Sequence, residues 1–218
     1  MIDYHTLKGW SFPTIEHTYT ADDSMFYALA VGLGADPMDE RQLAFVNDTA
    51  PGMPLALPTM AVILGYPGPW MRDSRTGIDF GRVVHGEESI VLLNPLKASG
   101  TIVSRHRVTH VVDKGAGKGA IVIYDKELLD KATGEKLASV TQTTFCRGDG
   151  GFSMANGLTD TSPQSPPKVP QRTRSRLRVA HSAAAGAALS LVCGPQPAAL
   201  RAGRSPQGRL RSTDPTRT

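Results

Sequence analysis

The chain has 218 residues, 40% of them apolar, with 24 Lys and Arg against 20 Asp and Glu and a formal net charge of +4. That is enough for one or two domains with a real core, and it excludes a small scaffold stapled by disulfides. Residues 1–157 carry 14 basic and 18 acidic side chains and residues 158–218 carry 10 and 2, so the basic excess sits in the last quarter and gives no reason to infer nucleic-acid binding by the rest.

In chain order, Asp22 to Gly34 reads as a helix. Asp22 or Asp23 can cap it, Met25, Leu29 and Leu33 follow at helical spacing, and Gly32 and Gly34 mark its end. Pro37 to Arg41 begins another turn or short helix. Residues 51–71 are rich in proline and predict loop, with one short helical or extended piece around Met60–Leu64. From Ile78 the period changes. Residues 89–93, 101–112, 120–129 and 137–145 are strand-like and rich in β-branched side chains. Glycine- and lysine-bearing turns at 97–100, 114–119 and 131–134 separate them, which predicts an antiparallel meander. Arg105, Arg107, Asp125 and Lys126 inside strands argue for one wet face. A sheet of this kind over a preceding helix is an α+β layer arrangement.

Residues 158–218 hold no Phe, Trp, Tyr, Ile, Met, Glu or Asn, and nine Arg against one Lys. This composition predicts disorder, apart from a weak helix at Ala183–Leu191. Cys146 and Cys193 are the only cysteines and form no C-x-x-C pair, so neither structural zinc nor a disulfide framework is indicated. Met1 to His5 lacks the basic and apolar regions of a signal peptide. The longest apolar run, Met53 to Gly65, is interrupted by Pro54 and Pro58 and is too short to span a bilayer. A soluble protein of the reducing cytoplasm, with no membrane partner, is expected.

The motifs that could carry chemistry each have a plainer reading. Gly115-Ala116-Gly117-Lys118-Gly119 looks like a phosphate cradle, but a strand and not a helix follows, so a hairpin turn is favoured. His85-Gly86-Glu87-Glu88 places a histidine beside carboxylates, as an acid–base pair would. The plainer reading is a turn leading into a strand, with Gly86 supplying unusual dihedrals. His106 and His110 stand four apart and would share a strand face, yet no third ligand is visible, so a solvated face is favoured over a metal site.

The order of several short motifs resembles a known family. Tyr27 to Gly34, Leu57-Pro58-Thr59, His85-Gly86-Glu87, Asn94-Pro95-Leu96, Asp113 to Gly117 and Gly148 to Phe152 occur in the sequence of the type 2 enoyl-CoA hydratases, the MaoC-like dehydratases. The resemblance covers about residues 1–155 and corresponds to the N-terminal half of that family. It implies a double hot-dog architecture, each half an antiparallel sheet wrapped around a helix. It also implies that the second half carries the catalytic Asp and His, in a Tyr-Arg-x-Ser-Gly-Asp-x-Asn-Pro-Leu-His stretch. These side chains hold the water that adds across a trans-2-enoyl thioester to give the (3R)-hydroxyacyl-CoA, with no metal or redox cofactor. The first half makes room for the acyl chain. By resemblance, Tyr27, Leu57, Pro58 and Met60 shape the acyl pocket, and His85 and Glu87 match a family motif whose role in this half is structural. No acid–base dyad is recognisable in residues 1–155, so negligible activity of the chain alone is expected. A non-catalytic acyl-CoA-binding subunit, as a homodimer or paired with another hot-dog repeat, is the alternative.

Residues 156–218 have the composition of a GC-rich gene read out of frame. Leu189 to Leu200 can be back-translated so that the next frame reads Tyr-Arg-Trp-Ser-Ala-Asp-Pro-Asn-Pro-Leu-His. In the same frame Arg209 to Thr218 can read Gly-Phe-Asp-Arg-Pro-Ile-Leu-His-Gly-Leu. A frameshift between about Pro167 and Ala184, displacing a catalytic repeat, is therefore expected.

Overall fold

The computed structural model describes residues 1–163 other than 50, 51 and 53. A short helix, α1 (Tyr4–Lys8), precedes strand β1 (Ile15–Tyr19) and helices α2 (Ala21–Ala30) and α3 (Glu40–Val46). Beyond a long loop come β2 (Val83–Leu92), β3 (Gly100–Asp113), β4 (Ala120–Asp130) and β5 (Lys136–Cys146). Every pairing is antiparallel, and the strands lie in the order β1-β3-β4-β5-β2. The inner face of this sheet meets α2: Tyr27 joins Ile102, Leu128, Ala138 and Val140 in one apolar cluster. The α+β arrangement is thus a sheet wrapped on a helix. No helix among the described residues is long and apolar enough to cross a membrane.

The helix forms where expected, by a different cap and face. Thr20 and not Asp22 or Asp23 is the N-cap: its hydroxyl accepts from Asp23 N, and the Asp23 carboxylate accepts from Thr20 N. This reciprocal box satisfies two donors that the first turn leaves free. The buried face is Ser24, Tyr27, Ala28 and Ala30, while Leu29 is 52% exposed. Small residues at 24 and 28 let the helix approach the sheet, and the Ser24 hydroxyl is satisfied by the Ala98 carbonyl at 2.6 Å.

The sheet departs from a simple meander at both edges. Strands β3, β4 and β5 are consecutive hairpins, and the glycine-rich 114–119 segment is the first hairpin turn, with Gly115, Gly117 and Gly119 all left-handed. β2 instead pairs with β5, so residues 93–99 carry the chain across the sheet to β3. β2 also begins at Val83, six residues before the expected start at Ser89, because His85 to Glu88 are strand and not turn. A bulge between His85 and Glu87 interrupts the ladder at Gly86. The glycine is needed there for space: its backbone is not left-handed, but a Cβ would meet the Thr143 carbonyl at 3.0 Å. β1 has no counterpart in the sequence reading.

Two of the quoted motifs are joined by one carboxylate. Asp113 accepts from Gly115 N and Gly151 N through one oxygen, and from Ser153 N and Ser153 Oγ through the other. Burial opposes its ionisation, but these donors outweigh it and bring the pKa down to about 2. A Cβ at Gly150 would lie 2.2 Å from the Gly115 carbonyl, so the two turns touch backbone to backbone. The ordered contacts continue past residue 155. Asp160 accepts from Val111 N, Tyr4 Oη and Lys8 Nζ, and Thr159 Oγ1 accepts from Asp113 N. Cys146 is buried and free. The helix expected at 183–191, Cys193 and both back-translated stretches lie outside the described residues.

Candidate functional site

Alternation along β4 sends Tyr124, Lys126 and Leu128 to the inner face and Asp125 and Glu127 to the outer one. Lys126 is therefore not on the wet face with Arg105 and Arg107; it is 5% exposed. Its register partner on β3 is His106. From β5 Gln142 reaches the same area, and from β2 its partner Glu88. This half of the inner face is roofed by residues 62–71. The roof is pinned at four points, because Lys126 Nζ donates to the Val62 and Leu64 carbonyls at 2.7 and 3.0 Å. His17 Nδ1, from β1, accepts from Gly65 N at 2.9 Å, and Ser104 Oγ, from β3, donates to the Gly65 carbonyl at 2.9 Å. Gly65 is left-handed, at φ +61°, where a side chain would be strained.

A groove of about 180 Å³ opens between this roof and β2, walled by Trp70, Phe80, Tyr124 and Thr144, with His85 at its rim. A smaller space of about 10 Å³, which shares Tyr124 and Gln142 with the groove, reaches Glu88, His106 and Lys126. Trp70 stands edge-on to Phe12 and Tyr124, which stiffens the wall. Tyr124 donates to Gln142. Burial pushes Lys126 down to about 8, against the opposing pull of Glu88. Burial also lowers His106, to about 4, with the Lys126 charge adding to it and the Gly65 backbone pulling the other way. Neither His106 nitrogen has a hydrogen-bond partner among the described residues. Glu88 is raised by burial, which the His85 and Lys126 charges offset in part.

The residues singled out from sequence fall in three places. Tyr27, Leu57 and Met60 belong to the apolar cluster beneath α2, with Tyr27 and Met60 almost fully enclosed. Pro58 opens the 3₁₀ turn Pro58–Val62 and is exposed. His85 and Glu87 are separated by the bulge: His85 faces the groove, and Glu87 faces the outer side. The carboxylate that His85 approaches is Glu88, at 3.7 Å. A second bulge, between Val108 and His110, puts His106 on the inner face and His110 on the outer one. The spacing of four therefore does not give a shared face. Among the described residues no group of three His, Cys, Asp or Glu could hold a metal ion. Lys126 and Glu88 were missed as inner-face groups. The parity of Lys126 with Tyr124 and Leu128 was the available signal, whereas the bulge at Gly86 hides the parity of Glu88.

The arrangement has limited chemistry. A wall of rings and apolar side chains suits a hydrophobic chain. Behind it, Lys126 is committed to backbone carbonyls and His106 is held neutral at pH 7. His85 and Glu88 are too far apart for the direct hydrogen bond that an acid–base pair uses.

Comparison with known proteins gives a consistent set. Residues 17–148 match the family described as the MFE-2 hydratase 2 N-terminal domain. The enoyl-CoA hydratase ChsH3 of Mycobacterium tuberculosis is 30% identical over 175 residues, covering 77% of this chain and 59% of that protein. A probable enoyl-CoA hydratase 2 of Dictyostelium discoideum is 31% identical over 171 residues, covering 76% and 55%. The chain thus spans little more than half the length of these curated relatives. Among solved structures, a MaoC-like dehydratase from Phytophthora capsici superposes with a TM-score of 0.59 at 22% identity, over 80% of this chain and 58% of that one. The full-length peroxisomal multifunctional enzyme type 2 of Drosophila melanogaster gives 0.59 at 24% identity, over 82% and 30%. At these identities the structural likeness is one of fold, and the fold is the hot-dog.

Proposed function

The chain belongs to the MFE-2 hydratase 2 N-terminal domain family, and from that premise we propose that it is the acyl-accommodating half of an R-specific 2-enoyl-CoA hydratase. The observation that carries this reading is the family match over 17–148 together with a groove that offers an apolar wall and no poised acid–base pair. The substrate is a coenzyme A thioester, and water addition needs neither metal nor redox cofactor. Catalysis requires a general acid–base pair within reach of the attacking water, which in this reading comes from a second, dyad-bearing hot-dog repeat. Tyr27, Leu57 and Met60 back the acyl space from the apolar cluster beneath α2, Pro58 starts the turn that carries Met60, and His85 and Glu87 hold the bulged edge of β2.

That edge supports the pairing. Among the described residues β2 bonds to β5 on one side only, and Val84, Val91, Leu92 and the adjoining Leu93 are between 38% and 54% exposed. An apolar sheet edge of this length invites another strand. A cytoplasmic setting and the frameshift between about Pro167 and Ala184 belong to the same proposal, and the nucleotide sequence across codons 160–218 tests the latter.

The functional test uses the purified full chain with crotonyl-CoA and a long-chain trans-2-enoyl-CoA, following loss of the enoyl thioester absorbance. The expected result is binding of the long-chain thioester without turnover, and turnover once a dyad-bearing repeat is added. Hydration by the chain alone at an enzyme's rate would overturn the non-catalytic assignment and direct attention to His85 and Glu88. Failure to bind any acyl-CoA, alone or paired, would overturn the acyl-accommodating role.

A further inference from the structure

The sheet has two edges, and they are finished differently. β2 forms one of them over ten residues. The opposite edge is shared. β1 covers β3 from Gly100 to Ser104, and from there to Asp113 no strand among the described residues lies beside β3. β1 is five residues long and carries Glu16, His17 and Thr18, which makes it a poor template for another strand. The rest of β3 is longer, and a bare edge of that length would offer its N–H and C=O groups to any second strand.

It is not bare. From the bulge at Thr109 onward, edge-facing backbone groups are taken in turn. The Thr109 carbonyl accepts from Lys8 Nζ at 2.6 Å. The Val111 carbonyl accepts from Asp160 N at 3.0 Å, and Val111 N donates to the Asp160 carboxylate at 2.8 Å. Asp113 N donates to Thr159 Oγ1 at 2.8 Å. Asp160 thus bonds Val111 as an antiparallel partner would, through one donor and one acceptor, except that its acceptor is a side chain. Residues 157–160 are not strand, so they present no fresh ladder in turn.

The carboxylate is also gripped from α1. Tyr4 Oη donates to Oδ1 at 2.8 Å and Lys8 Nζ to Oδ2 at 3.0 Å. Burial opposes its ionisation, but the donors from Val111, Tyr4 and Lys8 outweigh it and hold the carboxyl below the usual range. A strand arriving at β3 would have to strip a charged acceptor from all three donors, and such charge-assisted bonds are the strong ones.

We propose that Asp160 is an edge seal, closing β3 to strand addition and so directing a joining copy or second hot-dog repeat to β2. The seal stands on the geometry of β3 alone, whereas the choice of β2 rests on the pairing proposed above. A sheet with one open edge joins a second copy and stops. A sheet with two open edges adds copies without limit.

Asp160→Ala in the full chain, followed by amide hydrogen exchange and light scattering, tests the seal. The Val111 amide should exchange about tenfold faster than in the parent, as loss of a bond to a charged acceptor implies, with Val122 and Val140 unchanged. An unchanged Val111 rate would overturn the seal. The parent should stop at two copies, while Asp160→Ala should grow in mass with concentration. A fast Val111 amide with the parent's mass would overturn the role in strand addition. Adding Val91→Lys charges the β2 edge and should return the variant to a finite mass. Growth that persists in the double variant would overturn the choice of β2 and leave the seal standing. If Asp160→Ala does not fold, Tyr4→Phe decides, because it removes one donor from the carboxylate. It should speed Val111 exchange about threefold, again with Val140 unchanged, and an equal rate would overturn the seal.

Discussion

The two halves of the inner face are closed in different ways. Under α2 the contacts are apolar: Tyr27 and Met60 meet Ile102, Leu128 and Val140, and the Ser24 hydroxyl is satisfied by a backbone carbonyl. Under residues 62–71 the same strands present Lys126, Ser104 and His106, and the roof is held by directional bonds to the backbone of Val62, Leu64 and Gly65. Apolar packing is non-directional and insensitive to pH. Buried polar groups fix one geometry, and they do so at a desolvation cost that changes with protonation. The helix half should therefore behave as ordinary core and the roof half as a titratable clamp. Four substitutions test this contrast.

The largest effect is expected at the point where the clamp is tightest. A Cβ at Gly65 would fall 2.4 Å from Ser104 Oγ and 2.5 Å from Ser104 Cβ, at φ +61°. Gly65→Ala forces Ser104 and the roof apart as well as straining the backbone. It should cost about 4 kcal/mol, read as a lower urea midpoint, and it should widen the groove. A loss below about 1 kcal/mol would mean that the roof is not held rigidly. In the other half, Met60→Ala removes a side chain that is 1% exposed. It should cost about 3 kcal/mol, and by the same amount at pH 5 and pH 9.

His106→Leu separates the two halves by pH. The folded-state pKa lies at about 4, below the ordinary 6.5. Between these values the unfolded chain holds a proton that the folded chain does not, so stability falls as pH drops from 6.5 to 4. The loss approaches about 3 kcal/mol at the lower end. His106→Leu should remove that part of the acid sensitivity while costing nothing at pH 7, because the ring leaves two nitrogens unpaired. An acid limb as steep in the variant as in the parent would remove His106 from the account. Met60→Ala should leave the limb unchanged.

How much of this could be read from the sequence depends on period and length. β3, β4 and β5 run 11 to 14 residues each and alternate clearly, so their positions were legible to within a residue or two. β1 has five residues and carries Glu16 and His17, too short and too polar a pattern to register. β2 was legible only from Ser89, because the bulge at Gly86 breaks its alternation. The bulge at Thr109 likewise separated two histidines that spacing placed together. The motifs that carry the family resemblance are mostly turns that only certain residues can make, as the Asp113 carboxylate joining Gly115, Gly151 and Ser153 illustrates. They identify the fold and say little about the groove. Tyr27 and Met60, taken from such segments, lie in the core, whereas Lys126 follows from parity alone.

Lys126→Met should give a small change at neutral pH and a distinctive one in alkali. The folded-state pKa, about 8, lies below the ordinary 10.5. From pH 8 to 10.5 the unfolded chain binds the extra proton, so this group makes the parent more stable as pH rises through that window. Removing the ammonium relieves a buried charge but strips the donors from the Val62 and Leu64 carbonyls. The two effects oppose, and the net change at pH 7 should stay within about 1 kcal/mol. The alkaline rise should vanish in Lys126→Met and survive in Met60→Ala. If both variants kept it, the lysine would be titrating as an exposed side chain does, and the clamp would reduce to His17 and Ser104. Loss of the rise together with faster amide exchange at Gly65 would tie the buried ammonium directly to the position of the roof.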